Sequence, residues 1–410
     1  STNATSCSAS ASSDIGGAFS GSQSMSGSAT VAPVGTGTVM YMLSCTGGGG
    51  TGSATTAAIT VLPSILSMLS SNTITTIGST VDPVEHGGNP YGLAIAPVTA
   101  GLVRAGDMIV CNFNDGATNT QGLGTTIVGL HPSPGATPYR IAQSSSLQGC
   151  NALAVLADGG ISAAAYSANQ NPLVTPSGTV TTPFAADTFA NPWGEAYAAA
   201  SGQNPAALYV SNANGTIDRI TLSGDTQTGF TQIVQGFCGS GAPGGIFAPA
   251  GLTYDASIDT LYVIDTSSYS VISLANVSSI ASSGVTVAGQ CGSAASPPTP
   301  VPAFSGPSAS SASVIAHGPP LFAPLSAALL ADGDLIVTNS DINIPAGQMP
   351  NLAVEVSPVL PGGFVGQPKQ LDASGTPGAL FGIVATADSQ GNQIVYFNDD
   401  NTNAVMRMTQ

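Results

Sequence analysis

One short pattern recurs five times along this chain and restricts its fold more than any other feature. An apolar strand runs into Asn or Asp at Val110-x-Asn112, Val210-x-Asn212, Val263-x-Asp265, Val337-x-Asn339 and Tyr396-x-Asn398. Each stands second in a longer unit that opens on Gly or another small residue and a short apolar strand. The units read NPYGLAIAP … GDMIVCNFND, NPWGEAYAA … AALYVSNANGTIDRITL, APAGLTYDASIDTLYVIDTSSYSVISL, APLSAALLADGDLIVTNSD and ALFGIVATADSQGNQIVYFNDDNTNAVMRM. A weaker copy lies at NALAVLADGGISAAAYSA. Six units spaced by roughly 40–75 residues are the mark of a propeller with loop insertions. The predicted fold class is all-β, with a six-bladed β-propeller over 72–410.

Apolar residues ahead of each Asn or Asp fit a strand buried between adjacent blades. The polar residue then begins a turn and bonds local backbone. The functional alternative is a ring of polar groups at one channel mouth. The last unit supplies three strands before Gln410, and Asn72–Gly78 is a β-branched segment ahead of the first unit. The expectation is that 72–78 completes the last blade, which removes two exposed sheet edges.

Residues 1–62 form a separate unit. Alternating runs at Gly27–Val34, Thr38–Cys45 and Ala54–Val61, with Gly and Ser between them, predict a small antiparallel sandwich. Cys7 and Cys45 fall where a core disulfide would join two facing sheets. Residues 63–71 read as a linker with a helical turn around Ile65–Leu69. The strings STNATSCSAS, SGSATVAP and YMLSCTGGGGTGSATTAAITV resemble a bacterial immunoglobulin-like domain of exported proteins. That family carries a further strand and a half ahead of STNATSC, so the resemblance implies an Ig-like β-sandwich that lacks its first strand. The propeller units resemble NHL-type six-bladed propellers, where LYV-x-D/N marks the second strand. NPYGLAIAP, NFND and NPWGEA are also similar to an exported bacterial propeller family of unknown role, a resemblance that carries no activity.

The six cysteines contain no CxxC pair and have no histidine nearby, which argues for disulfides in an oxidising compartment rather than zinc. Cys238 and Cys291 bracket the fourth unit, and Cys111 and Cys150 pair by elimination. Charged residues make up 6% of the chain, against about 25% in a typical domain. Lys369 is the only lysine, beside Arg104, Arg140, Arg219 and Arg407. A neutral polar surface fits a secreted or cell-surface protein, or one covered by neighbours. The net charge of −16 disfavours nucleic acid and anionic lipid. It leaves room for cations, neutral glycans and self-association. No apolar stretch reaches the ~18 residues of a membrane span.

Chemistry is sparse. His86 lies in VEHGGNPYG, where Glu85 and His86 form either a general-base pair or a tight turn. His131 and His317 precede Pro and Gly-Pro-Pro and read as loop residues. Six-bladed lactonases and esterases hold calcium on oxygen ligands, and that resemblance singles out Asn89, Asn191, Glu195 and Asp265. FNDDNTN (397–403) is a second acidic segment, otherwise a polar turn. GSGAPGG (239–245) lacks the lysine and helix of a phosphate loop, and no Gly-x-Ser-x-Gly elbow comes with a triad. Asn3, Asn214 and Asn276 begin glycosylation-like triplets. No catalytic residue and no required cofactor emerges. The function expected is a structural or binding scaffold, self-assembling into a homo-oligomer or filament through the incomplete sandwich. A calcium-dependent lactonase, esterase or lyase is the enzymatic alternative. A glycan-binding module using exposed Tyr91, Trp193 and Tyr197 is the third.

Overall fold

The structure is a computed structural model. It describes residues 3–16, 19–27, 31, 37–61, 64–68, 74–185, 188–242, 245–289, 301–339, 348–358, 364–366 and 368–409. Six blades account for 74–409. Their inner strands are Gly88–Ile95, Cys150–Val155, Pro192–Ala198, Pro249–Asp255, Pro324–Leu329 and Leu380–Ala387, which open blades 1 to 6 in order. Each packs against the next, and the sixth packs against the first, so the ring closes. The strands that follow pair outward as antiparallel meanders, and blade 3 is extended by Val285–Ala288, paired parallel with Thr226–Gln235, and by Ala303–Ser305. In blade 6 the outer strand is Ile74–Ser79, paired antiparallel with Ala404–Thr409. The ring is thereby closed by chain from ahead of blade 1.

Small residues make the ring possible. Gly92, Gly194, Gly251 and Gly382 share one register on their inner strands, with Ala152 and Ser326 in blades 2 and 5. A Cβ at Gly92, Gly194, Gly251 or Gly382 would come within 3.0 Å of backbone on the next inner strand. Polar side chains then reach across the seams to carbonyls freed by the radial geometry. The Ser211 hydroxyl donates to Ala250 O at 2.7 Å, Thr266 to Pro324 O at 2.7 Å, and Thr253 to Ala327 O at 2.7 Å. The Asn398 amide donates to Tyr91 O and Gly92 O, both at 3.2 Å. Between these bonds lie apolar seams such as Leu153 with Ile109, Cys111 and Ala163, and Leu252 with Leu261, Val263 and Tyr209. The Cys111–Cys150 disulfide ties the second strand of blade 1 to the inner strand of blade 2.

The recurrent Asn/Asp position is buried, and in blades 1, 3 and 5 it anchors the chain that leads into the inner strand. Asn212 Oδ1 accepts from Ala190 N at 3.1 Å, and Asn339 accepts from Phe322 N at 3.1 Å while donating to Pro320 O at 3.0 Å. Asn112 donates to Thr80 O at 2.9 Å. All three are at most 3% exposed, so they form no open polar ring. In blade 6 the register differs from the sequence alignment. Leu380 pairs with Asp399 as Pro90 pairs with Asn112, so Asp399 holds the repeated place and Asn398 serves the seam. A one-residue slip of this kind turns a side chain to the other sheet face.

The N-terminal residues build two small sheets. One orders Gly21–Gln23, Ala4–Ala11, Tyr41–Gly47 and Gly50–Thr55, and the other pairs Gly37–Val39 with Ile59–Val61. Cys7 and Cys45 are disulfide-bonded, but they are direct register partners on neighbouring strands, with Cα atoms 4.0 Å apart. The bond therefore lies within one sheet and does not join two facing sheets. Most of the run at 27–34 lies outside the described residues. So does Cys291, the expected partner of Cys238, which is itself disulfide-bonded.

A short helix, Ile65–Met68, fastens this unit to the propeller. Ile65 and Leu66 are buried among Leu330, Ile336, Leu371 and Leu380 of blades 5 and 6. Glu355 Oε2 accepts from Ser64 Oγ at 2.6 Å and from Leu66 N at 3.1 Å, meeting the helix's unpaired amide.

Gly194→Ala is expected to destabilise the protein by about 3 kcal/mol through overpacking against blade 4. Gly48→Ala, where nothing lies near the added methyl, should stay within about 0.5 kcal/mol. Chemical denaturation of the two variants checks the contrast.

Candidate functional site

The six inner strands enclose a channel of about 330 Å³. One end is closed by aromatic side chains. Tyr91 stacks on Phe113 at 4.1 Å and on Phe381 at 3.6 Å between ring centroids, and Trp193 meets Tyr166 edge-on at 5.5 Å. Tyr91 and Trp193 are 2% and 5% exposed. They are a plug, and the expectation of an exposed aromatic glycan platform is corrected for both. The place of each ring explains this: Tyr91, Trp193 and Phe381 directly precede the close-contact glycines, where the inner strands crowd the axis. The other end is rimmed by half-buried Tyr197, Tyr254, Leu329 and Ala385. Floor and rim stand four residues apart along each strand, or about 13 Å.

Among the described residues Glu195 is the only charged one lining this channel. Its register positions in the other blades hold Leu93, Leu153, Leu252, Ala327 and Ile383. It points into the seam with blade 2, where Oε1 accepts from Asn171 Nδ2 at 3.1 Å. The same amide donates to Ser162 Oγ at 2.9 Å. Glu195 Oε2 has no partner. Burial pushes the carboxyl up to about 7, and the Ser162 and Asn171 bonds pull only partly the other way. Beside it, Asn151 holds in blade 2 the place of Tyr91 and Trp193, and neither its Nδ2 nor its Oδ1 has a partner. Sequence reading found Glu195 through the scarcity of carboxylates. It missed Asn151, Ser162 and Asn171 because they lie in and beside the weakest repeat.

The four residues considered for calcium are not brought to one point. Asp265 accepts from Ser267 N at 3.1 Å, from Ser267 Oγ at 2.7 Å and from Ser268 Oγ, all in its own turn. Asn191 takes its Nδ2 to Tyr166 O at 3.0 Å. Asn89 turns to Asn114 at 3.0 Å, away from Glu195's seam. Among the described residues no three His, Cys, Asp or Glu side chains gather as a metal would need. Hard-cation coordination asks for several free oxygens at one point, and this set does not fit it. The segment 397–403 is a polar turn: Asp399 accepts from Thr402 N at 3.2 Å, and Asn401 donates to Asp372 at 2.8 Å.

The histidines take other roles. His86 has a left-handed backbone (φ 60°) in a tight turn, its N–H donating to Asp82 O at 3.0 Å. Glu85 faces Arg140 at 3.8 Å, and Arg140 is paired mainly with buried Asp82. His131 Nδ1 lies 2.5 Å from Asp107, which also accepts from Tyr139 OH at 2.5 Å. Arg104 Nη1 stands 3.0 Å from His131 Nε2. His317 Nδ1 bonds the Ser270 hydroxyl at 3.0 Å.

No family model and no curated protein matches the chain. Solved structures do. A protein of unknown function from Bacteroides thetaiotaomicron VPI-5482 aligns with TM-score 0.52 at 11% identity, covering 98% of this chain and 90% of its own. Virginiamycin B lyase from Staphylococcus aureus aligns at 0.46 with 13% identity, over 82% and 99%. A gluconolactonase from Xanthomonas campestris aligns at 0.48 with 12% identity, over 79% and 87%. At these identities the likeness is one of fold. The chain is an all-β propeller protein.

Burial also raises Asp218 to about 7, and burial with the Asp399 charge raises Asp400 to about 7. A carboxyl whose folded pKa exceeds its unfolded value of about 4 binds its proton more tightly when folded. The stabilisation is complete below about pH 4 and is lost as pH rises through 7. The denaturation midpoint should therefore fall between pH 5 and pH 8. Glu195→Gln should raise stability at pH 8, by up to about 3 kcal/mol, and change little at pH 4. Urea titrations at the two pH values check both statements.

Proposed function

We propose that the chain is a secreted or cell-surface scaffold, built to bind and to assemble with copies of itself rather than to turn over a substrate. The observation that carries the reading is the surface. Five Lys and Arg and 21 Asp and Glu serve 410 residues, and Arg140 and Arg219 are already engaged, the latter with Val277 O at 3.0 Å. Such a surface carries few charges for its area, and the repulsion that its net charge of −16 sets up between copies is screened beyond about 8 Å at physiological salt. Two disulfides fit an extracellular setting, and no helix of the described residues is long and apolar enough to cross a membrane.

The site for assembly in this reading is the N-terminal, Ig-like unit. Gly50–Thr55 is the last strand of its sheet, and all six residues are exposed. Met40, Met42 and Leu43 are exposed nearby. An open edge with unpaired amides and carbonyls accepts a strand from another molecule. Repeated head-to-tail, such a contact gives a filament. The NHL-type resemblance of the blades belongs to the same reading, since it implies a rigid display platform. A calcium-dependent lactonase, esterase or lyase finds less support, because Asn89, Asn191, Glu195 and Asp265 do not converge on one point.

Purified protein examined by light scattering and electron microscopy should show growth with concentration and elongated assemblies. Ser53→Lys, which sets a charge on the open edge, should shift it towards monomer without altering thermal unfolding. Monomers at every concentration would remove the assembly reading.

A further inference from the structure

We propose that the propeller channel is a binding site for a small primary amine bearing a hydroxyl group, with Glu195 receiving the ammonium and Asn151 the hydroxyl. This goes beyond the scaffold reading and holds whether or not the chain assembles.

Three observations converge. Glu195 and Asn151 are each 7% exposed, both line the channel, and both carry buried polar atoms with no partner. A buried polar atom left unpaired costs about 1–3 kcal/mol, more when it is charged, and a ligand in the channel would offset that cost for the atoms of Glu195 and Asn151. Second, among the described residues Glu195 is the only charged one in the lining, with no Lys, Arg or His there to offset it. The carboxylate needs a donor, and a cation satisfies it best. Third, Trp193, Tyr197 and Tyr254 also line the channel. Aromatic rings beside one carboxylate favour an ammonium over a neutral molecule. Asn151 offers a donor and an acceptor together, which a hydroxyl answers with its own pair. At about 330 Å³ the channel admits a compact molecule and excludes a polymer. At pH 8, above the value of about 7 to which burial raises it, the Glu195 carboxyl is ionised and can receive the ammonium without a proton transfer.

The chain has one tryptophan, and it stands in the channel floor, so its fluorescence reports occupancy. Ethanolamine titrated into the full-length protein at pH 8 should give a saturable change in Trp193 emission. N-acetylethanolamine, which lacks the charge, should give none in the same range. Glu195→Gln should weaken ethanolamine about 10–100-fold, the effect of one charge-assisted hydrogen bond. Asn151→Leu places in blade 2 the residue that blade 5 carries as Leu325. It should weaken ethanolamine while leaving propylamine unchanged. A flat titration of the wild-type protein overturns the proposal. So does equal binding of N-acetylethanolamine, or an ethanolamine response that Glu195→Gln leaves intact. The wild-type comparison of the two compounds decides the matter even if neither variant folds.

Discussion

The close approach of the six inner strands is the contact on which everything else rests. Side chains cannot be accommodated where Gly194 meets Ala250 or where Gly382 meets Tyr91, so glycine or a small residue is required there. Once the strands are that close, the residues just before the glycines are forced together at the axis. Their apolar rings then close one end of the channel. The residues just after turn into the seams and have to match the neighbouring blade. Channel, plug and seams are thus three consequences of one spacing.

Glu195 departs from this pattern at a single point. Five blades place an aliphatic side chain in the seam, and blade 3 places a carboxyl. Burying a carboxylate with one oxygen unpaired opposes folding, and Ser162 and Asn171 offset only part of that. A local violation of packing logic is where function is most often stored. The Asp107–His131–Tyr139 group is a contrasting case. Its buried carboxylate is saturated by donors, so it fixes a loop and leaves no acceptor open.

Much of the architecture was legible because propeller blades repeat. Five copies of an apolar strand ending on Asn or Asp located the second strands, and among the described residues Ile74–Ser79 pairs with Ala404–Thr409 in blade 6. The limits have physical causes. In the sixth blade the pairing selects Phe397-x-Asp399 over the neighbouring Tyr396-x-Asn398, and in a run where both registers put an apolar residue two places before a polar one the sequence does not choose between them. Cys7 and Cys45 pair within one sheet, because strand adjacency depends on turns that a Gly- and Ser-rich segment does not specify. At the channel, scarcity of charge pointed to Glu195. Its partners were hidden, since Asn151 and Asn171 look like ordinary polar residues until blade 2 packs against blade 3. The aromatic residues were visible, but their burial follows from ring closure and not from local sequence.

Hydrogen exchange followed by mass spectrometry tests the closed ring most directly. If 74–79 completes blade 6, its amides exchange as slowly as those of 404–409 and of the inner strands at 88–95 and 380–387, and all four open together in mild denaturant. Exchange of 74–79 within seconds, while the other three segments stay protected, would contradict the account.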